Sequence, residues 1–442
     1  MFLLYSFLYT IAFILMSPLL VIRRKKYASG FFERLGFVDE SYADEKPVIW
    51  IHCVSVGETN AARPLIEILV EEYRHYRIAV STTTATGQAL AKELFTELGV
   101  QVFYFPFDWR FSVRRALRRI KPAIALVLET EIWPNFFREA KKTGVNVIIV
   151  NGRLSEKSAG RYSLIAHTIK RVLRYVDLAL MQDKKDAKRL IQLGIRSSKV
   201  KVTGNMKFDQ SETKVLSPLS ETLKKRFAIG EKAPLIVAAS THEPEEEIAL
   251  HALKEIWKES GGMLPRLLIA PRHPERFEDV EKIIRSTGFE WVKRSEPESN
   301  RDQAAEVILL DSIGELRDVY PLAEIVFVGG SVIRHGGQSV LEPAFCDTAI
   351  VTGANTENFA AVVKEFVENE ALLQLPKVDE TTAVAELAKT LLRLLDDDAL
   401  RLKLKENALR SAVGNRGATQ KTLEYLESYL NAGIGENLGT EG

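Results

Sequence analysis

The 442-residue chain has only two cysteines, Cys53 and Cys346, and no CxxC pair. A disulfide-stapled scaffold is excluded, and the usage suits a reducing compartment. There is no G-x-x-x-x-G-K-[ST] phosphate loop. There is also no G-x-S-x-G nucleophile elbow, since Gly329-Gly330-Ser331 lacks the closing glycine. A dinucleotide fingerprint is approached only at Gly433-Ile434-Gly435, with no strand before it. The seven histidines are scattered and none has H-E-x-x-H spacing, so neither a metal site nor a cofactor is expected. Asp396-Asp397-Asp398 lies between helical segments and reads as a connector or N-cap. Neither charge sign is in excess: 60 Lys+Arg face 59 Asp+Glu, so no global field points to nucleic acid. No repeat of 20–50 residues is present. A mean hydropathy of −0.06 excludes a polytopic membrane protein and leaves room for one anchor.

The long hydrophobic run is residues 2–22, without a charge, and Arg23, Arg24, Lys25 and Lys26 follow it. A bilayer core needs roughly 20 apolar residues as a helix. The basic residues come after the run and no small-residue cleavage site is present, unlike a secretory signal. The reading is a transmembrane signal anchor over residues 1–22, with the body on the cytoplasmic side of the membrane. An interfacial or buried helix is the alternative.

The length suits two domains. Short β-branched runs at 48–51, 78–81, 102–104, 124–128, 147–150, 178–181 and 200–203 alternate with helical stretches. After a polar connection at 211–220 the alternation restarts, with strands at 235–239, 267–270, 307–310, 325–328 and 349–351. Uninterrupted apolar strands between helices mean parallel sheets covered on both faces. The expected organisation is an α/β domain over 23–210, a second α/β domain over 221–430 ending in helices, and a disordered tail at 431–442. In such a doubly wound α/β pair, ligands are expected between the halves, at the C-terminal ends of the strands.

Several motifs sit at those ends. The first strand runs into Cys53-Val54-Ser55-Val56-Gly57-Glu58, with a helix expected from about Asn60. Glu58 is a candidate base for a substrate hydroxyl, or a helix cap. Glu129 and Glu131 close the fourth strand, where the i, i+2 spacing predicts one shared face. Between Arg110 and Lys121 six of twelve residues are basic and none acidic. That run is either a solvated helix face or a contact for anionic headgroups. In the second half, Gly336-Gly337 is expected to open a helix whose backbone N–H groups approach a phosphate, with Glu342 one turn on. Ser240 and Pro271-Arg272 also follow strands, which together describes a nucleotide pocket.

Taken together, these residues resemble the 3-deoxy-D-manno-octulosonic acid (Kdo) transferases of lipid A biosynthesis. The resemblance spans nearly the whole chain. It covers the N-terminal run, residues 50–58 and 129–135, Thr203-Gly204-Asn205-Met206-Lys207, residues 240–247 and 271–276, Ile313-Gly314-Glu315 and residues 329–344. It implies a membrane-anchored B-type glycosyltransferase of two Rossmann-like domains that moves Kdo from CMP-Kdo to a hydroxyl of a lipid A precursor, with inversion. Glu58 would be the general base and Glu131 a second essential carboxylate. Ser240, Pro271, Arg272, Ile313, Gly314, Glu315, Gly336, Gly337, Ser339, Val340, Leu341 and Glu342 would serve the donor. Many members have His-Asn-Pro where this chain has Gln338-Ser339-Val340. A transferase using a UDP-sugar and a catalytically silent sugar-nucleotide binder are the rivals.

Overall fold

A computed structural model describes residues 2–22, 29–40, 46–209, 216–230, 233–259 and 264–435. The basic run Arg23–Lys26 and residues 211–215 of the polar connection lie outside the described residues. The chain divides into two units, Met1–Gln210 with Asn415–Gly442, and Ser211–Gly414.

The first unit holds β1 (Val48–Cys53), β2 (Arg77–Thr82), β3 (Gln101–Tyr104), β4 (Pro122–Leu128), β5 (Asn146–Gly152), β6 (Leu178–Met181) and β7 (Val200–Val202). They form one parallel sheet in the order β3-β2-β1-β4-β5-β6-β7. Every residue of β1 is buried, because helices cover both faces and no position can face water. Trp50 pairs in register with Ala79 and Ala125, whose small side chains leave room for its indole. The strand order reverses between β1 and β4, which makes their C-terminal ends the switch point.

The second unit repeats the plan with β8 (Leu235–Thr241), β9 (Arg266–Pro271), β10 (Trp291–Lys293), β11 (Val307–Leu309), β12 (Ile325–Val328), β13 (Ala349–Thr352) and β14 (Leu373–Gln374). The order is β10-β11-β9-β8-β12-β13-β14, again all parallel. Its switch point lies between β8 and β12. The short edge strands β10 and β14 were not expected from the sequence.

Two boundaries differ from expectation. The helix Ala418–Gly435 belongs to the first unit rather than to a 221–430 domain. Asp209 holds its start by accepting from Gly417 N (2.8 Å) and Thr419 N (2.6 Å), and Leu423, Leu426 and Leu430 join the core that contains Ile49 and Ile51. The tail expected from 431 is therefore helical as far as Gly435, and residues 436–442 lie outside the described residues. Asp397 does act as a cap, accepting from Leu400 N at 2.8 Å.

The N-terminal helix Phe2–Ile22 has two faces. Tyr5, Ser6, Tyr9, Thr10 and Phe13 turn toward the first unit. Asn135 Nδ2 donates to Ser6 Oγ and Trp109 Nε1 to Thr10 Oγ1, both at 3.0 Å, and Tyr5 bonds the buried Asp108. Burial lifts the Asp108 carboxyl to about 7, although the Asn135 and Phe136 amides and Tyr5 pull it down. Phe13 stacks edge-on against Phe107 and Trp109. Leu3, Leu4, Phe7, Leu8, Ile11, Ile14 and Leu15 occupy the opposite face and are exposed. The structure does not support the expected span: among the described residues no helix is long and apolar enough to cross a membrane.

Candidate active site

In the first unit the carboxylates gather at the switch point. The helix after β1 runs Val56–Glu72, so it starts four residues before Asn60 and puts Glu58 in its first turn. Ser55 is the N-cap residue. Glu58 is buried and reaches back, accepting from Val54 N (2.8 Å) and Ser55 Oγ (3.3 Å). It therefore does what a capping glutamate does. Its carboxyl nevertheless rises to about 8, because burial disfavours the charge and the carboxylates of Glu129 and Glu131 add to that. A cap alone requires no such neighbours.

The expected shared strand face of Glu129 and Glu131 is not what the structure shows. β4 ends at Leu128, and Glu129 has a left-handed backbone, φ +53°. Such a conformation is costly without a glycine and recurs at functional sites. Lys207 Nζ pairs with Glu129 Oε1 at 3.4 Å. Burial, then Glu129, raises the Glu131 carboxyl. Glu58, Glu129, Glu131 and Lys207 thus come from the ends of three strands to one place. A base at this point can be protonated or ionised near neutral pH, which is what proton abstraction needs.

The arginine-rich run forms the helix Arg110–Ile120, with Val113, Ala116, Leu117 and Ile120 buried as expected. Most of its cations have structural work. Arg110 and Arg114 pair with the buried Glu139 at 3.2 and 2.6 Å, Arg119 with Glu40 at 3.2 Å, and Arg115 lies over the Phe37 ring.

In the second unit, the sequence-predicted donor residues fall at the ends of four adjacent strands, β11, β9, β8 and β12. Ser240, next to last in β8, takes φ +53°. Pro271 ends β9, and Arg272 N donates to Thr241 O at 3.0 Å while the Arg272 side chain stays exposed. After β11, Ile313 is exposed, Gly314 takes φ +85°, and Glu315 accepts from Arg294 Nε and Nη2 at 2.9 and 3.1 Å. After β12 come Gly336 and Gly337 at φ +88° and +74°, then Ser339, whose Oγ accepts from Leu341 N at 3.4 Å. Glu342 pairs with Arg317 at 3.5 Å.

One expectation fails here. Gly336-Gly337 do not open a helix: the next helix is the single turn Leu341–Ala344, and Gly337 N already donates to Gly330 O at 2.7 Å. The glycines are needed because a Cβ on Gly336 would collide with Asn358, 2.5 Å away. Val340 and Leu341 put their side chains into the core, so only their backbone is available to a ligand. Among the described residues no group of three His, Cys, Asp or Glu is placed to hold a metal ion.

Residues 29–210 match the family model described as 3-deoxy-D-manno-octulosonic-acid transferase (kdotransferase). A 3-deoxy-D-manno-octulosonic acid transferase from Haemophilus influenzae is 32% identical over 437 residues, covering 97% of this chain and 100% of its own. One from Bordetella pertussis is 31% identical, covering 96% and 99%. The chain belongs to this family. It is a glycosyltransferase. The fold is shared with a putative UDP-N-acetylglucosamine 2-epimerase from Listeria monocytogenes, at TM-score 0.56 and 14% identity over 87% of this chain and 96% of that one. A glycosyltransferase from Rickettsia africae gives TM-score 0.54 at 13% identity, over 87% and 97%. At those identities the likeness is one of fold.

Sequence reading of this Kdo transferase family member missed residues that organise the loops. Lys207 ends the Thr203–Lys207 motif, and nothing in the sequence pairs it with Glu129, 78 residues away. Glu245 and Glu246 are both fully buried. Glu246 accepts from Thr241 Oγ1 (3.1 Å) and pairs with Arg276 (3.3 Å), tying the β8 loop to the β9 loop. His242 stacks on His335 at 4.3 Å, and its Nε2 lies 3.3 Å from Gln338 Nε2. Burial, then His335, His273, Arg272 and Arg276, lowers His242 to about 4. It is therefore neutral at physiological pH, and Gln338 is its donor.

Proposed function

We propose that this transferase moves Kdo from CMP-Kdo to a hydroxyl of a lipid A precursor of the lipid IVA type, with inversion at the sugar. The observation that carries the reading is Glu58, a base raised to about 8 by burial and then by two neighbouring carboxylates at the switch point of the first unit. In this division of labour the second unit holds the nucleotide at Ser240, Pro271-Arg272, Ile313–Glu315 and the backbone of residues 336–342. The acceptor hydroxyl loses its proton to Glu58 as its oxygen attacks the anomeric carbon. The bond from that carbon to the phosphate oxygen breaks, and CMP leaves with the electron pair. Attack opposite the leaving phosphate inverts the centre. With the Gly337 N–H occupied, the exposed Arg272 is the proposed partner for phosphate charge. Lys207 pairs with Glu129 at 3.4 Å and brings a positive charge to the carboxylate cluster.

Membrane attachment is proposed through the exposed aliphatic face of the helix Phe2–Ile22, lying in the plane of the cytoplasmic leaflet of the inner membrane. Seven large apolar side chains at helical spacing exceed what a soluble surface ordinarily exposes. The basic run Arg23–Lys26 beside it suits an anionic leaflet.

The competing reading is a UDP-sugar donor. Calorimetry on the full chain separates the two: CMP is expected to bind and UDP to bind much more weakly. Tight UDP binding without CMP binding would assign the second unit to the other donor class.

A further inference from the structure

A carboxylate sits where a phosphate-binding loop would offer its amides. Glu245, the first residue of the helix Glu245–Glu259, has no solvent exposure. Its Oε2 accepts from Gly330 N at 2.6 Å and His242 N at 3.1 Å, and its Oε1 from Ser331 N and Val332 N, both at 2.9 Å. Four backbone donors from two loops converge on one side chain. Gly329 must lack a side chain here, since a Cβ would stand 2.8 Å from Glu245 Oε2.

The rest of the β12 loop is internally satisfied as well. Ser331 O accepts from Asn355 N (2.9 Å) and Nδ2 (3.2 Å), and Val332 O from Asn355 Nδ2 (2.9 Å). Ser331 Oγ donates to Val328 O and accepts from Gly353 N. Gly330 O takes the Gly337 N–H, which links this turn to the glycine pair. Gly336 O in turn accepts from Asn358 N at 2.9 Å. A continuous set of bonds therefore runs from Glu245 through Gly330 to Gly337, and so to residues 339–342.

We infer that Glu245 is a positioning residue that serves as a built-in anion, ordering the Gly330–Val332 amides so that the following 336–342 segment is preset to receive the donor nucleotide. This deepens the proposed function and rests on its placement of CMP in the second unit. The amides of Gly330, Ser331 and Val332 are consequently not available to the donor phosphate. A buried carboxylate with four donors cannot be removed without leaving those N–H groups unpaired, and an unpaired buried donor drives local rearrangement.

An anion held in a nest is replaceable by another anion, and the test uses that. Glu245→Ala opens a space lined by four N–H donors and large enough to admit formate. CMP affinity of the full-chain variant, read by calorimetry, is expected to fall about tenfold or more, because residues 336–342 lose their support. Sodium formate at high concentration is expected to restore most of it, and sodium chloride at equal ionic strength is not. Unchanged CMP affinity in Glu245→Ala overturns the inference, as does a loss that formate leaves unrepaired in a variant that melts as a folded protein. If the alanine variant does not fold, Glu245→Gln keeps the volume but aims an NH2 at two of the donors. It is expected to raise KM for CMP-Kdo with kcat little changed, and a KM equal to that of the unaltered chain overturns the inference. The unaltered chain is the control for the reading beneath: if it binds no CMP, the donor-site assignment fails first.

Discussion

Glu58→Gln is expected to lower Kdo transfer by about 10²- to 10⁴-fold, the usual contribution of a positioned general base, while CMP binding stays close to that of the unaltered chain. Glutamine keeps the carbonyl oxygen that accepts from Val54 N, so the helix start at Ser55 is largely preserved. What it loses is the ability to take a proton. The pH dependence carries the same information. With its carboxyl near 8, Glu58 is mostly protonated at pH 7 and must ionise to act, so the transfer rate is expected to rise with pH and level off above about 8. The sign for stability is opposite. The folded state holds this proton more tightly than the unfolded chain does, so the Glu58 contribution to stability declines as pH rises from the ordinary carboxylate range toward 8. In Glu58→Gln both dependences should flatten together. Melting temperature, CMP affinity and transfer rate measured on one preparation check this. A variant that melts early but transfers Kdo normally would reduce Glu58 to a cap.

Loss of membrane attachment is the second large effect expected. The triple variant Leu4→Glu, Leu8→Glu, Leu15→Glu alters only the exposed face of the helix Phe2–Ile22 and leaves Tyr5, Ser6 and Thr10 in their bonds to the first unit. Moving a leucine side chain from water into an apolar phase is worth about 1.5–3 kcal/mol, and a charge there reverses the sign. The variant is expected to stay folded and to remain in the supernatant when spun with vesicles containing anionic lipid. Removal of residues 1–22 should release the protein as well, but it also uncovers Phe107, Trp109 and Asp108. Quantitative sedimentation of the triple variant at high salt would show that another surface, or a true span, attaches the protein.

That helix illustrates what the sequence could and could not reveal. Tyr5, Ser6, Tyr9, Thr10 and Phe13 are uncharged, so the run read as uniformly apolar. The division into a hydroxyl-and-aromatic face and an aliphatic face was present in the spacing, but only the partners Asp108, Trp109 and Asn135 give it meaning. The strands were legible because parallel strands covered on both faces become unbroken apolar runs, and Leu178–Met181 and Ile325–Val328 match residue for residue. The edge strands Trp291–Lys293 and Leu373–Gln374 were not, being three and two residues long and partly solvent-facing. Likewise, Glu58 and Glu131 could be chosen from their positions after strands. Glu245 could not, since an acidic first turn is ordinary for a helix and its Gly330 donor lies 85 residues away. The return of the helix Ala418–Gly435 to the first unit is equally non-local, resting on Asp209 and the core around Ile49.

One incubation tests the reaction itself. The full chain, CMP-Kdo and a tetraacylated lipid A precursor in detergent, with excess EDTA, should yield CMP and an acceptor whose mass has grown by whole Kdo residues. An acceptor of unchanged mass from folded protein that binds CMP, or turnover that appears only when a divalent metal is restored, would contradict the account.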